Sequence, residues 1–172
     1  MAEKPFLTRP HIQYKKSFIS ATREFETEGE RPPWNYDVLD VNFDEYVETL
    51  LANETSPFPG YVPQTTFWLI VEDSYAGTID IRHYLTSSLR KFGGHIGYRI
   101  RPGMRRKNYG TLQLKLALPE TWALGIERAL ITCDDDNIAS QKIIEANGGI
   151  LQDKVDNGRA SLTRRYWIAK PD

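Results

Sequence analysis

Between residues 12 and 28 apolar side chains recur at helical spacing, with Tyr14, Phe18, Ala21 and Phe25 three or four positions apart among charged neighbours. The pattern predicts an amphipathic helix that stops near Gly29. Residues 31–40, with Pro32, Pro33 and Trp34, break the period and read as an irregular connector, after which residues 43–51 resume it. Prolines and a glycine between Ser56 and Pro63 mark a loop ahead of a strand over residues 65–71. Residues 78–84 and 95–101 read as two further strands, separated by a connector holding Gly93-Gly94. A long helix is expected from about Tyr109 to Leu124. Pro119 lies inside it, lacks an amide hydrogen and crowds the preceding turn, so a kink or split is expected near Leu118. Residues 130–133 form a short buried strand, and residues 137–147 a helix that Gly148-Gly149 should stop. Residues 150–155 and 162–168 close the chain as strands around Asp156-Asn157-Gly158, a hairpin signal.

No repeat, low-complexity run or linker interrupts this order. Residues 1–172 therefore read as one α+β domain, a mixed central sheet of six to seven strands flanked by helices. With 22 Lys+Arg against 23 Asp+Glu the net charge is -1, which argues against a nucleic-acid partner bound through a basic surface. A single cysteine, Cys133, excludes an intrachain disulfide and a thiolate zinc cluster, and His11, His83 and His95 lack ligand spacing, so no metal is expected. No apolar run approaches membrane-spanning length and no targeting pattern opens the chain; a cytoplasmic protein without a membrane partner is the expectation.

The segment from His95 to Thr111 carries the chemistry. It reads strand, turn, helix start, and a helix start leaves amide hydrogens without partners, which together with the helix dipole favour a phosphate. Arg101, Arg105, Arg106 and Lys107 place four cations within seven residues of a chain that is otherwise neutral. An anionic ligand accounts for them economically; a solvated basic turn is the plainer alternative.

These residues resemble the GCN5-related N-acetyltransferase (GNAT) family, whose central motif is Arg or Gln, two residues, Gly, one residue, then Gly or Ala, between a strand and a helix. Arg105 to Gly110 fits it, with Asn108 standing for the first glycine; Asn tolerates left-handed backbone angles better than most residues. A second similar stretch follows at residues 130–149, where a strand leads to Asn137, a helix and the Asn-Gly-Gly stop. Its Ile-Thr-Cys-Asp run with Asp-Asn-x-Ala-Ser is similar to a predicted-acetyltransferase group of that family. The resemblance implies a single-domain acyl-CoA N-acyltransferase fold with acetyl-CoA as acyl donor. It further implies that the turn formed by Arg105, Arg106, Lys107, Asn108, Tyr109, Gly110 and Thr111 cradles the pyrophosphate. Tyr98, Ile100 and Arg101 would meet the pantetheine arm, Asn137 would lie near the thioester, and Ser140 near the pantetheine or phosphate. Asn137 reads equally as an ordinary helix cap.

The family's chemistry is direct attack of a primary amine, on a small molecule or peptide, on the thioester in a ternary complex. Many members carry a tyrosine as general acid seven residues after the motif asparagine; here that position is Ile144, which has no proton to give. Tyr109 is the substitute candidate, and solvent is the alternative. His95 is the first candidate for the base, since its ordinary pKa suits the task, with Asp80 and His83 on the preceding strand as further candidates. Strand alternation sets His95, Gly97 and Arg99 on one face and Ile96, Tyr98 and Ile100 on the other. Cys133 reads as an inert buried thiol. Glu24, Glu26, Glu28 and Glu30, near Trp34, Tyr36 and Asp37, would suit a cationic amine, or form a solvated helix face. Two readings remain open at this level: an acetyltransferase, and a non-catalytic acyl-CoA-binding or regulatory protein on the same fold. The chain is expected as a monomer, or as a homodimer packed through Tyr166 and Trp167.

Overall fold

Helices cover both faces of one seven-stranded sheet in the computed structural model, which describes residues 4–30, 36–158 and 160–171, with only the backbone of 36–38. In chain order the elements are β1 (Phe6–Thr8), α1 (Lys15–Thr27), α2 (Tyr36–Val41), α3 (Phe43–Ala52), β2 (Gln64–Val71), β3 (Ser74–Arg82), α4 (Ser87–Lys91), β4 (Ile96–Ile100), α5 (Tyr109–Ala123), β5 (Arg128–Asp134), α6 (Ile138–Ala146), β6 (Ile150–Val155) and β7 (Thr163–Ala169). The strands lie in the order β1-β2-β3-β4-β5-β7-β6. Every neighbouring pair is antiparallel except β4 with β5.

Period-two alternation sorts the core into two layers. On one face Trp68, Ile70 and Tyr75 meet Phe18 of α1 and Phe43 of α3, with the Phe18 and Trp68 rings stacked at 4.8 Å. On the other, Ile79, Ile81, Ile96 and Ile131 pack under Leu114 and Ala117 of α5 and Ile144 of α6. Tyr166 belongs to this second layer and is fully buried, with its hydroxyl donating to Glu145 at 3.0 Å, so its ring is not available as a subunit contact.

Four features depart from the sequence reading. The long helix runs through Pro119 without a break, because Pro119 and Lys115 lie on its solvent side, where the carbonyl left without a partner meets water, while Leu114, Ala117 and Thr121 stay buried. The edge strand β1 has only three residues, too few to show a period. The five-residue α4 is made by its cap, the Thr86 hydroxyl accepting from Leu89 N at 3.2 Å, more than by any apolar stripe. Part of the expected connector is helical, as α2; residues 31–35, including Trp34, lie outside the described residues.

The turn before β4 admits only glycine. Gly94 has φ +63°, and a Cβ there would stand 2.4 Å from the Leu130 carbonyl oxygen. Gly94→Ala should therefore destabilise the fold by about 2 kcal/mol or more, read as a lower urea midpoint with an unchanged slope; an unmoved midpoint would show that the turn relaxes freely.

Candidate active site

β4 and β5 meet at one point. His95 N donates to Leu130 O at 2.7 Å and Ile96 is in register with Ile131, and no further pair follows. Beyond it the strands part. A cleft of about 600 Å³ occupies the gap. Its lining includes Ile96, Tyr98, Cys133 and Ser140 from the α5/α6 side of the sheet and Arg82, Gly97 and Thr132 from the other. By alternation these belong to opposite faces, so the cleft passes through the sheet. Backbone parity decides which amides reach it. Arg82 N bonds to His95 O and Arg101 N to Ala76 O, so the like-numbered pairs Asp80–Gly97 and Thr78–Arg99 also turn their amides between β3 and β4. The amides of Tyr98 and Ile100 face the gap instead.

The turn after β4 divides its four cations. Arg101 donates to the Glu24 carboxylate from Nε at 2.9 Å and Nη2 at 2.6 Å, and Glu24 also accepts Gly103 N at 3.0 Å. Those bonds hold the Glu24 carboxyl below its ordinary pKa. Arg105 bridges Glu28 and Glu30, donates to Ile100 O at 3.1 Å and lies over the Phe25 ring. Both arginines are thus committed to α1 rather than free for a phosphate. Three of the four glutamates of the expected acidic stretch are neutralised in the same stroke; the side chains of Tyr36 and Asp37 lie outside the described residues. Arg106 and Lys107 are exposed and make no ion pair or hydrogen bond among the described residues.

Arg106 and Asn108 both adopt left-handed backbone angles, φ 59° and 63°. Asn108 thus takes the geometry expected of a residue standing for glycine. Such alternation turns successive amides inward into an anion-accepting concavity. Gly103, Met104 and Arg105 have acceptors for their amides; from Arg106 to Thr111 none is found among the described residues. Gly110 sits where a Cβ would stand 2.5 Å from Ile143 Cδ1, so it lets α5 start against α6. Asn147 secures the same corner by donating to Thr111 O at 3.2 Å. Tyr109 packs its ring with Leu69, Val71, Ala76 and Ile100, and is not among the residues lining the cleft.

At the mouth of α6, Asn137 caps the helix by accepting Ser140 N at 3.0 Å and also lines the cleft. The Ser140 hydroxyl shares a 2.8 Å hydrogen bond with the Tyr98 hydroxyl. Burial pushes Tyr98 up to about 12 and the neighbouring Cys133 thiol to about 11, so both keep their protons at neutral pH. Ile144 is wholly buried.

His95 lies at the closed end of the gap. Its Nδ1 accepts Leu130 N at 2.9 Å, and burial, aided by Arg90 and Arg82, pushes its pKa down to about 4. An imidazole so placed is a poor proton acceptor at neutral pH. Asp80 has the opposite disposition. It stands across from Gly97, which offers no side chain to cover it, accepts the Thr66 hydroxyl at 2.6 Å, and has its pKa raised, chiefly by burial. His83 is held by Thr65 at 2.9 Å, away from the cleft lining.

The profile of the Acetyltransferase (GNAT) domain matches residues 20–150, and the chain belongs to that family. Its fold is that of solved GNAT structures. The microcin C7 self-immunity acetyltransferase MccE, solved with acetyl-CoA and AMP, is 16% identical with TM-score 0.70, over 98% of this chain and 93% of its own. The acetyltransferase from Salmonella typhimurium that modifies the N-terminal serine of ribosomal protein L7/L12 is 12% identical with TM-score 0.67, over 96% and 94%. RimJ from Mycobacterium smegmatis, solved with CoA-disulfide, is 14% identical with TM-score 0.70, over 95% and 80%. No curated protein sequence matches the chain. No helix among the described residues is long and apolar enough to cross a membrane.

The depressed His95 has a thermodynamic consequence. Its folded pKa of about 4 lies below the unfolded value of 6.5, so stability present above pH 6.5 is lost as pH falls toward 4, by roughly 3 kcal/mol in full. Urea unfolding at pH 7, 6 and 5 should show this slope in the wild type and a shallower one in His95→Gln. Parallel slopes would mean that His95 titrates normally in the folded chain.

Proposed function

We propose that this protein transfers an acetyl group from acetyl-CoA to an amine, by direct attack within a ternary complex. The observation that carries the reading is the cleft through the sheet between β4 and β5; past the end of β4 the chain turns through the left-handed Arg106 and Asn108 into α5, and the Asp80 carboxylate, its pKa raised, stands on β3 across from Gly97 of the cleft lining. The free amides of Arg106 to Thr111 and the side chains of Arg106 and Lys107 would hold the pyrophosphate. Arg101 and Arg105 serve this site indirectly, by fixing the turn to α1. The gap-facing amides of Tyr98 and Ile100 would hold the pantetheine and meet negative charge developing on the acyl oxygen.

We assign the base to Asp80 in place of His95. A carboxylate that burial has made more basic, with no β4 side chain opposite it, is suited to take a proton from an ammonium. The acid falls to the Tyr98–Ser140 pair rather than Tyr109, because Tyr98 and Ser140 line the cleft with a shared proton, and Asn137 orients that pair through the helix it caps. Ile144 favours a second reading, an acyl-CoA-binding protein without turnover, since it fills the customary place of the acid with a buried hydrocarbon.

The test is release of CoA thiol from acetyl-CoA with a panel of primary amines. Turnover that saturates in both substrates is expected; saturable acetyl-CoA binding with no thiol release from any amine would establish the second reading. Asp80→Asn should lower kcat/KM by about 10²- to 10⁴-fold and remove the acidic limb of the pH–rate profile, with CoA affinity unchanged within about threefold. A comparable loss of affinity would reassign Asp80 to binding. Arg106→Ala with Lys107→Ala should weaken CoA binding by about tenfold at low salt and less at high salt, without moving the melting temperature; equal affinity would place the phosphates elsewhere.

A further inference from the structure

The face of the sheet on which the amine must arrive is cationic. On that face β3 carries Thr78, Asp80 and Arg82 in alternation, and β4 carries Gly97 and Arg99 beside them. Arg82 is the better placed of the two arginines. Its Nη1 donates to Gly93 O and Gly94 O, each at 3.1 Å, which fixes the guanidinium near the closed end of the gap, in the cleft lining. A Cβ on Gly97 would lie 3.6 Å from Arg82 Nη2, so that edge of the fork covers the residue opposite Asp80. Nε and Nη2 have no partner among the described residues, and Arg82 forms no ion pair there. Five donors with two acceptors make a half-buried guanidinium under-satisfied. Arg99, lying over the Phe25 ring, likewise forms no ion pair or hydrogen bond among the described residues. The glutamates that would have offset them are bound to Arg101 and Arg105.

We infer that the acceptor of this enzyme is an amine that also bears an anionic group, a carboxylate or a phosphate ester, and that Arg82 binds that group while Asp80 faces the nitrogen. The inference rests on the acyl-transfer reading. The placement agrees with it: Asp80 and Arg82 lie two apart on one face of β3, and the guanidinium lies over Gly97, the residue opposite Asp80, so the two charges stand on the same side of the sheet. A polyamine would bring a second cation against Arg82, and a lysine side chain would bring no anion to it.

The test compares acceptors in pairs that differ only in the anion: glycine with glycinamide, β-alanine with β-alaninamide, and O-phosphoethanolamine with ethanolamine, with spermidine and a lysine peptide as cationic controls. The wild type should prefer the anionic member by at least about tenfold in kcat/KM; the first two pairs against the third separate carboxylate from phosphate. Arg82→Gln, which keeps a polar side chain but no cation, should bring the preferred pair to near parity by slowing chiefly the anionic member. Equal use of both members by the wild type, or an equal loss on both in the variant, overturns the inference and leaves acyl transfer standing. So does turnover confined to the cationic controls. Absence of turnover with every amine overturns both.

Discussion

Two parallel strands that bond at one residue and then separate define this molecule. An interrupted ladder inside a sheet exposes backbone amides and carbonyls that would otherwise be paired, an arrangement proteins avoid unless something else meets those groups. Here the interruption is built in at both ends. Gly94 brings the chain against the Leu130 carbonyl and starts the pairing, and the turn after Ile100 carries β4 away toward α1 while β5 continues toward α6. Everything chemical in the molecule is arranged about that gap, from the inward amides of the turn to the hydroxyl pair of Tyr98 and Ser140.

The turn that follows β4 owes its shape to α1. Glu24 takes Arg101 and the Gly103 amide together, and Glu28 and Glu30 take Arg105. Exposed ion pairs contribute little individually, but a carboxylate shared between a bidentate guanidinium and a backbone amide fixes direction as well as distance. The helix on one face of the sheet thereby sets the conformation of the turn that opens the helix on the other. It also takes up the carboxylates of Glu24, Glu28 and Glu30, so that none of them pairs with Arg82 or Arg99.

Much of this was legible in the chain. Alternation placed His95, Gly97 and Arg99 together and opposite to Tyr98 and Ile100, and Asn108 was readable as a glycine substitute because few other side chains accept its backbone angle. Charge partnership was not legible: four cations within seven residues look alike in sequence, and only the arrival of α1, some eighty residues earlier in the chain, distinguishes Arg101 and Arg105 from Arg106 and Lys107. His95 misled for a related reason. Its ordinary pKa suits a base, but the solvation that sets its actual one depends on β5 closing over it. Asp80 carried no local signal beyond its parity on β3, because what stands opposite it, Gly97 with the Arg82 guanidinium over it, is a matter of strand register.

Ile144 is locked in place by the way its own helix ends. Its side chain is sealed beneath the Asn-Gly-Gly stop, where a Cβ on Gly149 would stand 2.3 Å from Ile144 Cγ2. A phenol grafted onto that helix position would have no vacant volume to enter and would have to lift the loop that begins β6. A larger side chain at that position therefore requires the corner between α6 and β6 to be rebuilt with it.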